Sequence, residues 1–144
     1  MNEQSAQIES LADAWKYITG GKAIFTLVSR ATQHRYTYKM RRGDRGIFFV
    51  DLLTGPDNES DFVYQGVMRL DGGYQQSRKD GCLPKDAPSI KALKWFLSLA
   101  ATQDERMHPG IEVWHEGKCS RCGRRLTDPE SIATGLGPVC RGKL

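Results

Sequence analysis

The sequence predicts an α+β fold: an antiparallel β-sheet of four or five strands, packed by an amphipathic helix and followed by a C-terminal zinc-knuckle module. Three observations carry this. Apolar side chains recur at every second residue over much of 23–77, the period of a half-buried strand. They recur at helical spacing over 86–101. Three of the four cysteines, at 119, 122 and 140, crowd the last 26 residues. At 144 residues and 39% hydrophobic content, the chain can bury a core and is too apolar to be disordered. Its longest apolar stretches fall far short of a membrane span. The opening Met1-Asn2-Glu3-Gln4 has no basic start and no apolar core, so neither secretion nor membrane insertion is expected, and the expected setting is cytoplasmic.

Taken in order, residues 5–18 carry Ile8, Leu11, Trp15 and Ile18 on one helical face, with Ser5 as the expected N-cap and Gly20-Gly21 as the stop. From Ala23 the period changes to two. Phe25 and Leu27, then Tyr36, Tyr38 and Met40, predict a β-hairpin across a polar turn. The turn at 43–46 leads into a strand over 47–53, and Thr54–Asn58 is a further turn cluster. Residues 62–70 make another strand with a bulge marked by Gly66, and Asp71-Gly72-Gly73 turns it into a strand over 74–77. Over 86–101, Ile90, Leu93, Phe96, Leu97 and Ala100 share a face, Asp86 is placed to cap, and Pro88 sits in the first turn. This stripe is expected to cover one face of the sheet. His108-Pro109-Gly110 breaks the pattern, which divides the chain into a body at 1–110 and a tail at 111–144.

The tail reads as a metal site. In Cys119-Ser120-Arg121-Cys122-Gly123 two thiolates can converge on one ion, and the glycine permits the tight turn. Thr127-Asp128-Pro129-Glu130 is a capping box opening a short helix, Gly135 is its stop, and Gly137-Pro138 turns the chain back toward Cys140. Structural zinc normally takes four protein ligands. Cys119, Cys122 and Cys140 supply three, and His115 is the first candidate for the fourth, with Cys82 and His108 as alternatives. A redox motif would need a strand before the pair and a long helix after it, where this sequence has a glycine and a turn.

The run from Cys119 through Gly123-Arg124-Arg125-Leu126-Thr127-Asp128-Pro129-Glu130-Ser131-Ile132, followed by Gly135-Leu136-Gly137-Pro138-Val139-Cys140, resembles the signature of domain-of-unknown-function family 6011. The resemblance is dense over about thirty residues. It implies a phage or mobile-element setting and supplies no activity.

No enzyme motif is complete. In His115-Glu116-x-x-Cys119 a cysteine replaces the second histidine of a zincin and Gly117 spoils the helix, and the zinc deaminases' His-x-Glu is absent. Asp51, Asp57, Glu59 and Asp61 read as a solvated acidic loop. The expectation is a non-enzymatic protein. Its net charge is +4, and the basic residues cluster. Arg30, Arg35, Lys39, Arg41, Arg42 and Arg45 accompany Tyr36 and Tyr38 in the hairpin region, while Arg121, Arg124 and Arg125 lie in the tail. Cations interleaved with aromatics suit phosphate contacts and base stacking, so nucleic acid or a nucleoprotein complex is the expected partner. The alternative is an inhibitor of a host defence system that works by protein–protein contact.

Overall fold

A computed structural model describes residues 6–57, 60–126 and 129–137. The first element is not the expected helix. Residues Ala6–Ile8 form a short strand, β1, and helix α1 begins only at Leu11, running to Ile18. Ser10 takes the N-cap, its hydroxyl accepting the Asp13 N–H at 3.0 Å. The next free N–H groups, of Leu11 and Ala12, donate to the carbonyls of Arg106 and Asp104. With the cap at Ser10, Ile8 is released to pair in a sheet, and Ser5 lies outside the described residues.

The expected hairpin forms as β2 (Lys22–Ser29) and β3 (Arg35–Arg42). A short 3-10 turn leads to β4 (Phe48–Leu53), β5 (Phe62–Met68) and β6 (Tyr74–Gln76). The bulge falls where Gly66 indicated it. Val50 pairs with Gly66 and Asp51 with Tyr64, which leaves Gln65 extra. A Cβ on Gly66 would strike the Gln75 carbonyl and the Tyr74 hydroxyl, so the close strand approach requires glycine there.

Helix α2 spans Pro88–Ala100 and buries all five residues of the expected stripe. Asp86 does not cap it. Pro88 occupies the first turn and holds Ala87 extended in the N-cap position, which moves Asp86 one residue too far out. Strand β7 (Ile111–His115) and helix α3 (Pro129–Thr134) complete the described elements.

All strand pairs are antiparallel, in the order β1-β7-β2-β3-β4-β5-β6, so the sheet has seven strands where four or five were expected. The two additional strands are β1, read as the start of a helix, and β7, read as the start of the tail. Residues 111–115 lie inside the sheet, between β1 and β2.

The core forms on one face. Phe25, Tyr38, Met40, Val50 and Val113 from alternating strand positions pack with Leu11, Ala14, Leu93 and Phe96 from α1 and α2. Phe25 stacks against Tyr38 and Phe96 with ring centroids 5.4 and 5.7 Å apart, and the Tyr38 hydroxyl donates to the Ser89 carbonyl at 2.7 Å. Among the described residues, no helix is long and apolar enough to cross a membrane.

Phe96 is fully buried where α2 meets the sheet centre. Phe96→Ala should therefore lower unfolding stability by about 3–5 kcal/mol. In chemical denaturation this appears as a lower midpoint at unchanged slope. A midpoint unmoved by the substitution would contradict this packing.

Candidate functional site

Directly after β7 the chain folds back as a tight ribbon. Lys118 bridges antiparallel to Arg125, the Leu126 N–H donates to the Gly117 carbonyl at 2.8 Å, and the Gly123 N–H to the Cys119 carbonyl at 2.9 Å. This brings together the buried Cys119 and the exposed Cys122, with their sulfurs in hydrogen-bonding contact. After α3 the chain returns: the Ser120 N–H donates to the Gly135 carbonyl at 3.1 Å, and the Gly137 N–H points at the Cys119 sulfur.

Burial opposes ionisation of Cys119. The N–H groups of Gly137, Cys122 and Arg121, with the Cys122 thiol, outweigh burial and bring the thiol down to about 7. Sulfur cradled by backbone N–H groups favours thiolate, the metal-binding form. The Ser120 hydroxyl between the two cysteines is buried without a hydrogen-bond partner among the described residues. These features fit a metal ion held by the ribbon. Cys140 lies outside the described residues, three positions beyond Gly137. An extended chain reaches about 10 Å in that length.

The other expected ligands are placed elsewhere. Among the described residues, no three His, Cys, Asp or Glu side chains converge. Thus His115, Cys82 and His108 do not join the thiol pair. His115 is buried and uses both ring nitrogens on backbone: Nδ1 accepts the Gly117 N–H at 2.9 Å, and Nε2 bonds the Ile132 carbonyl. Burial lowers its pKa, the Ile132 bond partly opposing, so the ring is held neutral. In this arrangement the imidazole fastens α3 to β7, with both ring nitrogens engaged on backbone. The Cys82 thiol donates to the Tyr64 carbonyl at 3.1 Å. His108 packs edge-on against Trp95, and its Nδ1 accepts the Gly110 N–H at 3.0 Å.

The ribbon is docked on the body through Tyr17. This buried ring lies 5.4 Å from the His115 ring, and its hydroxyl donates to the Ile24 carbonyl at 2.7 Å. Its face rests where a Cβ of Gly135 would stand, and Gly135 has φ +74°. The Lys22 N–H donates to the Ser120 carbonyl, a second tie.

The basic hairpin divides by strand alternation. Tyr38 and Met40 are buried on the core side and Tyr36 packs against the same cluster, while Arg35, Lys39 and Arg41 occupy the other face. Tyr38 is fully buried, so it cannot serve as the expected stacking platform, while Tyr36 is half-buried against the core. Arg30 lies 3.5 Å from Glu112. Arg41 grips Asp51 with two bonds of 3.0 Å, so the buried Asp51 is ion-paired rather than part of a solvated acidic loop. Within that loop the Asp61 carboxylate accepts the Asp57 N–H at 2.8 Å, and Glu59 lies outside the described residues. Arg42 donates to the Thr19 carbonyl at 3.0 Å, and Arg45 is exposed in the 3-10 turn. Arg121 is half-buried, and Arg124 and Arg125 are exposed on the ribbon. Lys22 joins the two basic groups at one end of the sheet: it pairs with Arg41 across β2–β3 and stands beside Gly123. Arg30 and Arg35 flank the turn at the other end.

Sequence reasoning missed the residues between these ends. On the sheet face opposite the core, Phe49, Phe62, Tyr64 and Trp114 are half-buried, and none packs in the main core. Arg41 stands 5.5 Å over Phe49, Lys39 5.7 Å over Phe62, and Lys79 5.8 Å over Tyr64. Phe49 and Tyr64 meet edge to face at 6.2 Å. The alternation of 48–53 contains this signal, but it becomes legible only once the helix-covered face is known.

The Tyr17–Gly135 contact yields a test. Gly135→Ala must place a Cβ against the Tyr17 ring at positive φ and should cost about 1–3 kcal/mol. Gly137→Ala meets nothing within 4 Å among the described residues and should stay within about 0.5 kcal/mol of the parent. Equal melting temperatures for the two variants would contradict this docking.

Neither the curated proteins nor the solved structures provide a match to this chain. The model of a family of unknown function, DUF6011, matches residues 114–144, the segment that begins in β7 and carries the two-cysteine ribbon and α3.

Proposed function

We propose that this protein is a non-enzymatic nucleic-acid binder of phage or mobile-element type, whose C-terminal ribbon is stabilised by zinc. The observation that carries the reading is the sheet face that none of the described helices covers. Half-exposed Phe49, Phe62, Tyr64 and Trp114 lie there among Lys39 and Arg41. Flat aromatic surface offers stacking to any base, and the cations over Phe49, Phe62 and Tyr64 can meet the phosphate beside that base. Such a surface suits single strands, whose bases are free to splay, better than a duplex groove. Lys22 and the ribbon arginines extend the positive charge along one end of the sheet.

Cys119, Cys122 and Cys140 are the proposed zinc thiolates. Zinc here would close a segment too small to bury a core by itself. His115 enters the set only by exchanging the Ile132 carbonyl for the ion.

Two measurements test the reading. Elemental analysis should give one zinc per chain, lost in Cys119→Ser, Cys122→Ser and Cys140→Ser. Zinc well below one per chain in the parent protein sinks the metal site, and its retention by His115→Ala leaves that residue outside the ligand set. Fluorescence anisotropy with a single-stranded oligonucleotide should show binding that falls steeply with salt. Phe49→Ala and Trp114→Ala should each weaken it by about 1–3 kcal/mol, while zinc content stays unchanged. Absence of oligonucleotide binding at low salt, together with salt-tolerant binding to one host protein, replaces this reading with the inhibitor alternative.

A further inference from the structure

Where β3 begins and β4 ends, against the N-terminus of α2, a pocket of about 500 Å3 opens at one end of the sheet. Arg35 stands in its lining, exposed and, among the described residues, without an ion-pair partner. No described Asp or Glu lines the pocket. Of the acids nearby, Asp86 is exposed outside the lining, and Asp61, beside Gly55, turns its carboxylate onto the Asp57 N–H at 2.8 Å.

The wall behind Arg35 holds donors without acceptors. Ser89, in the first turn of α2, is only 7% exposed. Its carbonyl accepts from the Tyr38 hydroxyl at 2.7 Å, but its own hydroxyl has no hydrogen-bond partner among the described residues. Among those residues only the Ser120 hydroxyl is sealed from solvent unpartnered, so the Ser89 hydroxyl reaches solvent, and it does so where Ser89 lines this pocket. The helix start leaves a second donor. Ala87 at the N-cap has no accepting side chain, and Pro88 has no N–H. The Ile90 and Lys91 N–H groups both donate to the Ala87 carbonyl, which leaves the Ser89 N–H over. No acid in the first turn offsets the positive helix end. Tyr36 adds a third donor. Its half-buried side chain lines the pocket, and it lies close enough to reinforce, after burial, the raised pKa of the Tyr38 phenol that bonds Ser89.

We propose that this pocket holds the terminal phosphate monoester of a nucleic-acid strand whose bases lie on the open sheet face. The inference rests on that binding face and names the strand end it takes. A guanidinium, a helix N-terminus and two hydroxyls, all on the donor side, are the set that phosphate oxygens satisfy. The way from the open face is short. Trp114 pairs with Thr26, Thr26 with Thr37, and Leu53 with Phe62, while Thr37 and Leu53 themselves line the pocket. The Thr26 and Thr37 hydroxyls bond each other at 2.7 Å, so the pocket's unmet donors lie beyond this row. Ser89 stands on the helix side of the sheet, past its end. A diester would have to bring two neighbouring nucleotides there, whereas a terminal monoester brings one and carries more negative charge.

The test is fluorescence anisotropy of the full chain with one single-stranded sequence carrying a 5′-phosphate, a 3′-phosphate or neither. One phosphorylated form should bind about tenfold more tightly than the unphosphorylated strand. Ser89→Ala should erase that gain while leaving the unphosphorylated affinity and the melting temperature unchanged, and Arg35→Ala should erase the gain as well. Inorganic phosphate, added at constant ionic strength, should compete away the gain and nothing more. Phe49→Ala should weaken all three strands alike and keep their ratio, which separates the pocket from the open face. Equal affinity for the three strands overturns the pocket and leaves the open face standing. A gain that survives Ser89→Ala overturns the placement of the phosphate. Inorganic phosphate that binds as tightly as the phosphorylated strand overturns the strand-end assignment. Absence of binding by every strand overturns pocket and open face together.

Discussion

The architecture depends on the placement of one late strand. β7, residues 111–115, hydrogen-bonds on one side to β1 and on the other to β2, so the sheet is incomplete until more than a hundred residues of chain have been brought back. The same five residues fix both faces. Ile111, Val113 and His115 turn into the buried side, while Glu112 and Trp114 project onto the face without helices. Because the ribbon begins two residues after β7, its cysteines inherit their position from this strand rather than from a flexible linker.

His115 and Tyr17 show how that placement reaches the ribbon. The imidazole spends one nitrogen on Gly117 within the turn into the ribbon and the other on Ile132 within α3. Tyr17 packs against the same ring and against Gly135, with its hydroxyl fixed on β2 through Ile24. Breaking a bond of a buried polar group without replacing it costs about 1–3 kcal/mol, so these contacts reinforce one another. The ribbon also feels the open face: burial raises the Glu116 pKa, and Lys118 and Lys39 offset only part of that rise. Body, ribbon and open face are thus held by adjoining contacts at one end of the sheet.

Much of this is legible in the sequence where one local pattern decides the outcome. The stripe from Ile90 to Ala100 has a single helical reading, and Gly66 marks a bulge because only glycine fits there. The pair Cys119 and Cys122 is recognisable by spacing alone. What local pattern leaves open is which of two solutions the rest of the chain selects. Ile8 fits a helical face with Leu11, but the Ser10 cap and the presence of β7 give it to a strand. Ile111-Glu112-Val113-Trp114-His115 alternates as a strand does, yet its proximity to the cysteines invites a tail reading. Tyr38 and Phe49 sit on adjacent strands with equally good alternation. Only the side taken by α1 and α2 makes the first a core residue and the second a surface ring. The role of His115 is least legible, because a histidine four residues before a cysteine looks the same whether it ligates or holds a carbonyl.

The central claim is that the helix-free face framed by β7 is the working surface. Photo-cross-linking a single-stranded oligonucleotide containing thiouridine to the intact protein, with the attached residues located by mass spectrometry, tests it directly. The expected attachment points are Trp114, Phe49 and Tyr64 on the open face. Attachment confined to the outer surfaces of α1 and α2, with none on the open face, would contradict the account.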